Sequence, residues 1–239
     1  MILMITPTPT STPGAISATK LSKIYGKKEN AFIALDDVTL AIAPGESIAI
    51  IGKSGSGKST LMHLMALMDQ PTSGQISING GDSSKLSSRE LDRLRNSAFG
   101  FVFQQFFLNG NTSVLDNVIL PLKIAGVPSR ERRRRGLLVL ASVELADKAR
   151  SKASDLSGGQ KQRAVIARAL INNPKIIFAD EPTGNLDSTT GRKVEDILFG
   201  LNKEQGITLI VVTHDEDLAA RCDRRLYIKD GKLQVGLKS

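Results

Sequence analysis

The sequence predicts an α/β protein whose central sheet is mainly parallel. Two apolar runs, Lys175–Ala179 and Thr208–Val212, are typical of strands that are buried on both faces of such a sheet. A helical pattern near Thr190–Leu201 separates them and supplies the crossover that parallel neighbours require. A third apolar run, Ser47–Ile51, stands just before a Gly-rich loop and a further helical pattern. We therefore expect one sizeable α/β domain in this chain of 239 residues.

The N-terminal part predicts a different kind of sheet. Residues 1–15 include a stretch rich in Thr, Pro and Ser, and we expect a disordered leader there, followed by a single domain over residues 16–239. Within the first part of that domain, Val38, Leu40 and Ile42 alternate with polar or small residues, as in a half-buried antiparallel strand. An antiparallel β subdomain is therefore expected beside the parallel sheet.

The segment after the run Ser47–Ile51 has the spacing of a phosphate-binding loop. Residues 52–60 are Gly-Lys-Ser-Gly-Ser-Gly-Lys-Ser-Thr, between a strand and a helix, which is the context that this motif requires. The glycines let backbone N–H groups turn inward onto an anion, and the helix directs its positive dipole end to the same point. Lys58 is then expected to reach the β- and γ-phosphates of a nucleoside triphosphate, and Ser59 to bind Mg²⁺. The alternative is a Gly/Ser-rich turn that binds nothing. The helix after the loop is predicted to bury one apolar face, formed by Leu61, Leu64, Met65 and Met68.

The composition changes after Phe99–Phe103, a short apolar strand that is followed by Gln104. Val114–Asp147 is mostly helical in pattern, with a break at Pro121. This predicts an α-helical subdomain inserted into the nucleotide-binding core. The predicted boundaries are residues 105–172 for the helical subdomain, and residues 16–104 and 173–239 for the core.

Polar side chains stand where three predicted strands end. Gln104, Asp180 and His214 each follow an apolar run, and the ligand crevice of an open α/β sheet lies outside the carboxyl ends of its strands. Asp180 is expected to hold Mg²⁺, and Glu181 to orient and polarise the water that attacks the γ-phosphate. The alternatives are an acidic junction between strand and loop, a glutamine that bonds the strand end, and a buried histidine.

The segment Leu156–Gln160, with the sequence Leu-Ser-Gly-Gly-Gln, begins a further helix. Ser157 suits the N-cap position, and the glycines leave backbone N–H groups bare, which predicts a second anion site. The chain would then have two phosphate-binding helix ends but only one P-loop. A dimer explains this, if the second site of each chain covers the nucleotide of its partner.

These motifs, in this order, make the chain resemble the ATP-binding subunits of ABC transporters. The resemblance covers nearly everything from about Ile16 onward. It implies a P-loop NTPase (RecA-like) core with the antiparallel β subdomain and the inserted α-helical subdomain. It also implies ATP hydrolysis and a head-to-tail homodimer that holds two ATP molecules at its interface. The family motifs are the P-loop, Gln104 (Q-loop), Leu156–Gln160 (signature), Asp180-Glu181 (Walker B), Asn185–Asp187 (D-loop) and His214 (switch).

The resemblance also implies a role for each site residue. Glu181 is the general base, His214 senses the γ-phosphate, and Gln104 contacts Mg²⁺ or the attacking water and couples to a membrane partner. Tyr25 matches the aromatic residue that stacks on adenine, and Asp187 works across the dimer interface. The implied ATP contacts are Tyr25, Gly52, Ser54, Gly55, Ser56, Gly57, Lys58, Ser59, Thr60, Ser157, Gly158, Gly159, Gln160 and Asp187. The implied Mg²⁺ contacts are Ser59, Gln104 and Asp180.

Two stretches, Phe99–Gln105 and Phe178–Asp187, resemble one branch of the family more closely. That branch serves lipoprotein release, macrolide or peptide export, and peptide-antibiotic sensing; cell-division ATPases are similar and are an alternative. The implied partner is an integral membrane permease with few spans and a large extracytoplasmic domain, and the chain would lie on the cytoplasmic face of the cell membrane. Phe106, Phe107 and Leu108 predict either a docking groove for a permease helix or core of the helical subdomain.

Composition limits the other classes of function. The net charge of +8 suits an anionic partner, and a single cysteine excludes a disulfide framework within the chain. A soluble ABC-type ATPase that acts on nucleic acid or the ribosome is a further hypothesis. Relatives that act on DNA separate their nucleotide motifs by long coiled coils, and this chain lacks such a heptad run. Relatives that act on the ribosome carry two cassettes in one chain, and 239 residues hold only one. No specific nucleic acid is therefore expected. The cluster Arg130–Arg135 is either a solvated helix face or a contact for anionic lipid or an acidic partner.

Overall fold

The structure, a computed structural model, describes residues 14–234, which form two sheets and the helices around them. The strands are Ile16–Tyr25 (β1), Phe32–Ile42 (β2), Ser47–Ile51 (β3), Ser73–Ile78 (β4), Gly81–Asp82 (β5), Phe99–Phe103 (β6), Ile176–Asp180 (β7), Thr208–Val212 (β8), Arg224–Lys229 (β9) and Lys232–Gln234 (β10). The α-helices are Lys58–Met65 (α1), Ser88–Ala98 (α2), Val114–Val118 (α3), Leu120–Ile124 (α4), Ser129–Ser142 (α5), Gly158–Leu170 (α6), Ser188–Gln205 (α7) and Glu216–Ala220 (α8).

The smaller sheet is antiparallel and has the strand order β2-β1-β4-β5. Strand β1 pairs antiparallel with both β2 and β4. Val38, Leu40 and Ile42 are buried on the inner face of β2, so the predicted alternation is confirmed. The predicted leader lies outside the described residues except for Gly14 and Ala15. Ala15 is only 3% exposed, and its carbonyl oxygen accepts a hydrogen bond from the Asn79 N–H, so the packed chain begins slightly before the predicted boundary.

The larger sheet has the strand order β10-β9-β3-β8-β7-β6, and its strands are parallel except for β10 at one edge. Helix α7 makes the crossover from β7 to its parallel neighbour β8, as the sequence predicts. Because β3, β8, β7 and β6 are adjacent, the loops that follow them meet at one edge of the sheet. The predicted α/β class is confirmed.

The large sheet separates two apolar cores, because successive residues of a strand point to opposite faces. Ile48, Phe178 and Ile210 face α1 and the antiparallel sheet. Ile177 and Val211 face the other side, where the apolar residues of α3 to α7 cover them. The strands at the centre of the sheet are therefore buried on both faces, which explains their continuous apolar sequences.

Helix α1 ends earlier than the sequence pattern predicts. The helix stops at Met65, and Leu67 takes a left-handed conformation with φ of +56°. The Leu67 N–H donates to the Leu64 carbonyl oxygen, and the Met68 N–H donates to the His63 carbonyl oxygen, which together form a Schellman C-cap. Met68 is therefore turned outward and is 42% exposed, so its predicted place on the buried helix face is wrong. Leu61, Leu64 and Met65 are buried as predicted.

The helical insertion begins with α3, α4 and α5. Pro121 stands in the first turn of α4, where its missing N–H breaks no hydrogen bond within the helix. Helix α6 packs against α3 and α5 and also directly on β6, where a Cβ added at Gly100 would lie 2.8 Å from the Ala169 carbonyl oxygen. The helix that carries the signature therefore rests on the edge of the nucleotide-binding core. The domain boundaries themselves stay predictions. Across residues 14–234, none of the helices combines the length and the apolar character that crossing a membrane requires.

Candidate functional site

The P-loop connects the end of β3 to the start of α1. Gly55 and Gly57 have φ angles of +76° and +106°, which glycine adopts without strain. A side chain at Gly57 would also place its Cβ 2.5 Å from the Ala34 carbonyl oxygen of β2. Helix α1 begins directly after Gly57, so the N–H groups of its first turn are available at the loop. The structure thus brings together in one turn Gly52, Ser54, Gly55, Ser56, Gly57, Lys58, Ser59 and Thr60.

The Lys58 ammonium lies across this loop. It donates to the carbonyl oxygens of Gly52 at 2.9 Å and of Lys53 at 3.0 Å. These two contacts hold the positive charge against the loop, where an anion bound by the loop N–H groups would also meet it. The arrangement is the one that a triphosphate requires of a P-loop lysine.

Asp180 is the last residue of β7 and stands beside the P-loop strand's neighbour, β8. Burial raises the pKa of the Asp180 carboxyl, and the negative charge of Glu181 raises it further. The charges of His63 and Lys58 act in the opposite direction. A carboxylate in this position gains from a cation placed next to it. His63, to which the sequence gives no role, is four residues after Ser59 on α1, and this helical spacing is the signal that would have placed it near Asp180.

Glu181 follows directly and is held by the segment after β8. Its Oε1 accepts from the His214 N–H at 3.0 Å and lies 2.7 Å from His214 Nδ1, and its Oε2 accepts from the Thr213 hydroxyl at 3.1 Å. The backbone of Glu181 is left-handed, with φ of +45°, and its N–H donates to the Val212 carbonyl oxygen at 2.9 Å. This conformation costs free energy in a residue with a side chain, and it turns the carboxylate away from the path of the strand. Because a carboxylate only accepts, His214 donates from Nδ1.

Gln104 stands past the end of β6, at the far side of the site from the P-loop strand. Its Nε2 donates to Asn185 Oδ1 at 3.3 Å, and Asn185 Nδ2 donates to the Gln104 carbonyl oxygen at 2.9 Å. The Q-loop and the D-loop are therefore joined by a reciprocal pair of hydrogen bonds. A movement of Gln104 would be transmitted to the D-loop through this pair.

The signature forms a second group. Ser157 caps α6 in a capping box, in which Gln160 N–H donates to Ser157 Oγ and Ser157 N–H donates to Gln160 Oε1. The predicted N-cap is confirmed. Gly158 and Gly159 form the first turn, next to the side chains of Leu186 and Thr190 respectively. The signature thus packs on the D-loop and on the start of α7.

Asp187 belongs to this second group as well. It is the N-cap of α7, and its carboxylate accepts from the Thr190 N–H at 3.0 Å. The hydrogen bonds from Thr190 lower the pKa of the Asp187 carboxyl, so it stays ionised. Capping gives this residue a structural role within its own chain; its role across a dimer interface stays a prediction.

Tyr25 stands at the end of β1, beside the P-loop helix. Its side chain is half exposed; burial and the hydrogen bond to Asp69 raise the pKa of its hydroxyl, and Thr60, in the first turn of α1, acts in the opposite direction. The aromatic ring is therefore near the phosphate-binding turn, as an adenine contact requires.

Gln162 is a residue that the sequence reasoning missed. It lies on α6 and is 1% exposed, and its Nε2 donates to the Pro182 carbonyl oxygen at 2.7 Å and more weakly to that of Phe103 at 3.4 Å. Pro182 directly follows Glu181, and Phe103 directly precedes Gln104. Gln162 thus ties the signature helix to both catalytic loops, and its place in the polar segment 160–163 at the start of α6 gave no local sign of this.

Comparison with known proteins agrees with this geometry. The ABC transporter family profile matches residues 35–184. The lipoprotein-releasing system ATP-binding protein LolD of Syntrophus aciditrophicus is 44% identical over 218 residues, covering 91% of this chain and 98% of that protein. The macrolide export ATP-binding/permease protein MacB of Burkholderia pseudomallei is 45% identical over 218 residues, but the match covers 33% of its length.

A solved structure is similar across the chain. The ATP-binding cassette MJ0796, in a dimeric post-hydrolysis state bound to ADP and Pi, superposes with a TM-score of 0.84 and 43% identity. The match covers 92% of this chain and 96% of that one.

Proposed function

This chain belongs to the ABC transporter family and is an ATP-hydrolysing subunit of it, and on that premise we propose that it powers a membrane export complex of the lipoprotein-release or macrolide-export type. Two chains would associate head to tail around two ATP molecules. The observation that carries the proposal is that the chain forms two groups of phosphate-binding residues, each built around its own helix N-terminus. One group comprises the P-loop, Gln104, Asp180, Glu181 and His214, and the other comprises Ser157–Gln160 beside Asp187. The relative MJ0796, a dimer that holds ADP and Pi, supports this arrangement.

The first group binds and hydrolyses the nucleotide. The N–H groups of the P-loop and the Lys58 ammonium hold the β- and γ-phosphates. The hydroxyl of Ser59 and the partly buried carboxylate of Asp180 are hard oxygen donors, which suit Mg²⁺, and Gln104 offers a third oxygen. Mg²⁺ bound there would neutralise charge on the phosphate oxygens.

Glu181 acts as the general base. Thr213 and His214 orient its carboxylate, which takes a proton from water while the water oxygen attacks the γ-phosphorus and the bond to the ADP oxygen breaks. The strained backbone of Glu181 fixes where that carboxylate stands. Glu181→Gln keeps the shape but accepts no proton, so turnover should fall by about 10²–10⁴-fold while ATP binding is kept.

The second group completes the site of the other chain. Ser157, Gly158 and Gly159 present the first turn of α6 to the γ-phosphate held by the partner subunit. The ATP-bound dimer is then favoured over separate chains, and hydrolysis releases it. Gln162 and the Gln104–Asn185 pair carry this change between the two groups within one chain.

We propose that the permease binds at an apolar groove beside Gln104. The groove has a volume of about 690 Å³, between α2, α4, β6 and α6. Phe107 is 64% exposed and packs edge-on against Phe103 at the groove, whereas Phe106 and Leu108 pack into the core. A permease helix with an apolar face suits such a groove. The exposed apolar side chains around it are Met68, Phe107, Leu120 and Ile124.

Affinity purification of tagged Glu181→Gln from detergent-solubilised membranes, with ATP present, tests the proposal. A co-purifying protein with few membrane spans and a large extracytoplasmic domain would support the proposed export complex. In that complex this chain would be peripheral, on the cytoplasmic face of the membrane. A many-span partner without that domain would contradict the branch, and bound nucleic acid or ribosomes would contradict the transporter. Phe107→Asp should abolish the association, and Leu138→Asp, at a similarly exposed apolar position on α5, should not.

A further inference from the structure

Tyr25 is held by two side chains that no family motif includes. Its hydroxyl donates to Asp69 Oδ2 at 2.8 Å, and the Lys23 ammonium lies over its ring, 4.9 Å from the centroid. Lys23 and Tyr25 are two residues apart on β1 and therefore project from the same face of the strand. Asp69 comes from the turn after α1. The ring is thus fixed from two different parts of the fold.

The two supporting residues also bind each other. Lys23 Nζ lies 2.7 Å from Asp69 Oδ1 and donates at 2.6 Å to the Gln70 carbonyl oxygen. The Gln70 N–H donates to Asp69 Oδ1 at 2.7 Å. The Lys23 side chain is only 12% exposed, so this ion pair is more shielded from water than an ordinary surface pair. Burial acts against ionisation of Asp69, but the hydrogen bonds from Lys23 and Tyr25 outweigh it and lower the pKa of that carboxyl.

The group is connected to the phosphate site. Asp69 follows the Schellman turn that ends α1, and its hydrogen bond to the Tyr25 hydroxyl joins the ring to the segment just beyond that helix. The first turn of the same helix belongs to the phosphate site, so the ring and the P-loop are connected through α1. A base that stacks on this ring would keep a fixed distance and angle to the phosphates held by the P-loop.

We propose that Lys23 and Asp69 are positioning residues for the purine base of the nucleotide. The Lys23 ammonium covers one face of the Tyr25 ring and the Asp69 carboxylate fixes its hydroxyl, so that the other face receives the adenine. This inference rests on the proposed role of Tyr25 as the base-stacking residue. Without the two supports the ring would have to be ordered by the nucleotide, and that cost would appear in the affinity.

Affinities for ATP and for inorganic tripolyphosphate, which has no base, test this inference on the full chain. Tyr25→Ala should weaken ATP binding by about 5- to 100-fold, the range for loss of stacking on one base. Asp69→Ala, Lys23→Met and Tyr25→Phe should each weaken it by about 2- to 10-fold, the range for one lost hydrogen bond. Tripolyphosphate binding should stay unchanged, KM for ATP should rise, and kcat should stay within about 2-fold of wild type. Lys23→Arg should bind ATP as tightly as wild type, because it keeps a cation over the Tyr25 ring.

Asp36→Ala is the matched control, since it removes an ion pair from β2, in the same sheet as Tyr25, to Lys232 on β10 of the larger sheet, and should leave both affinities unchanged. Equal losses for ATP and tripolyphosphate in Asp69→Ala would overturn the inference, because they would mean general distortion. If Tyr25→Ala weakens ATP binding but Tyr25→Phe and Asp69→Ala do not, only the positioning role is overturned. If Tyr25→Ala has no effect, the proposed stacking on Tyr25 fails with it. Tyr25→Phe removes one oxygen atom from a half-exposed side chain, so it tests the hydroxyl contact even if Asp69→Ala does not fold.

Discussion

A methyl group at Gly159 tests how closely the signature helix and α7 approach. The added Cβ would lie 2.2 Å from Thr190 Cγ2, whereas carbon atoms in contact are about 3.5–4.0 Å apart. Thr190 stands in the first turn of α7, where the Asp187 cap holds the backbone, so the helices must separate or the Thr190 side chain must rotate. Overpacking of this kind costs about 1–3 kcal/mol. For a domain of this size, that lowers the melting temperature by about 2–4 °C per kcal/mol.

Removal of the opposing methyl group should reverse this loss. In Gly159→Ala/Thr190→Ser the nearest remaining atoms are Thr190 Cβ at 3.6 Å and Oγ1 at 3.8 Å, which are ordinary contacts. The melting temperature of the double variant should therefore be close to that of Thr190→Ser alone. Gly158→Ala, whose added Cβ would have Leu186 Cδ2 as its nearest neighbour at 3.5 Å, should melt at the wild-type temperature. ATP turnover of the double variant should nevertheless stay below that of wild type, because the added methyl group stands on the first turn of α6, which we propose approaches the partner's γ-phosphate. A double variant as unstable as Gly159→Ala would refute the steric reasoning.

Two further predictions concern buried polar groups. Gln162→Leu should lower the free energy of unfolding by about 1–3 kcal/mol in urea titrations, because the Pro182 carbonyl oxygen loses its donor. Gln205→Leu, at the exposed end of α7, is the control, and equal midpoints for the two would contradict the prediction. Asp180→Asn should raise the melting temperature of the nucleotide-free protein at pH 7, since burial and then Glu181 raise the pKa of Asp180. An unfolded Asp loses its proton near pH 4, whereas folded Asp180 keeps its proton to higher pH, so wild-type stability falls as pH rises through that window. The gain in melting temperature from Asp180→Asn should vanish below about pH 4, where Asp180 is protonated in both states. A variant that melts no higher than wild type at pH 7 would contradict the raised pKa of Asp180.

Local patterns were sufficient for the elements that carry the phosphate site. The run Ser47–Ile51 has the same bounds in the structure as in the sequence prediction, because a strand buried on both faces is apolar along nearly its whole length. Ser157 takes the predicted N-cap because its hydroxyl is the acceptor that a helix start lacks. The strand order then brings Gln104, Asp180 and His214 to one edge.

Contacts between distant residues had no such signal. Gln162 meets Pro182, and Lys23 meets Asp69, only after the chain has folded, and neither pair is part of a periodic pattern. The error at Met68 has a local cause: Leu67 adopts a left-handed turn that glycine usually takes, so the sequence contains no stop signal where the helix ends. Periodicity locates apolar faces, but it does not show which polar groups will meet.

The place of β3 in the sheet fixes when the ATP site can exist during synthesis. Both neighbours of this strand, β8 and β9, come from residues 208–229. At about 5–20 residues per second, the roughly 160 residues between β3 and β8 take the ribosome on the order of ten seconds or more. Throughout that interval β3 lacks both of the strands it pairs with, so the P-loop that follows it is not held in place. A chain stalled before Thr208 is expected to bind no ATP on an immobilised nucleotide, while exposing a strand that chaperones recognise. The nucleotide site is encoded by residues 47–60 and is completed only after residues 208–229 have been translated.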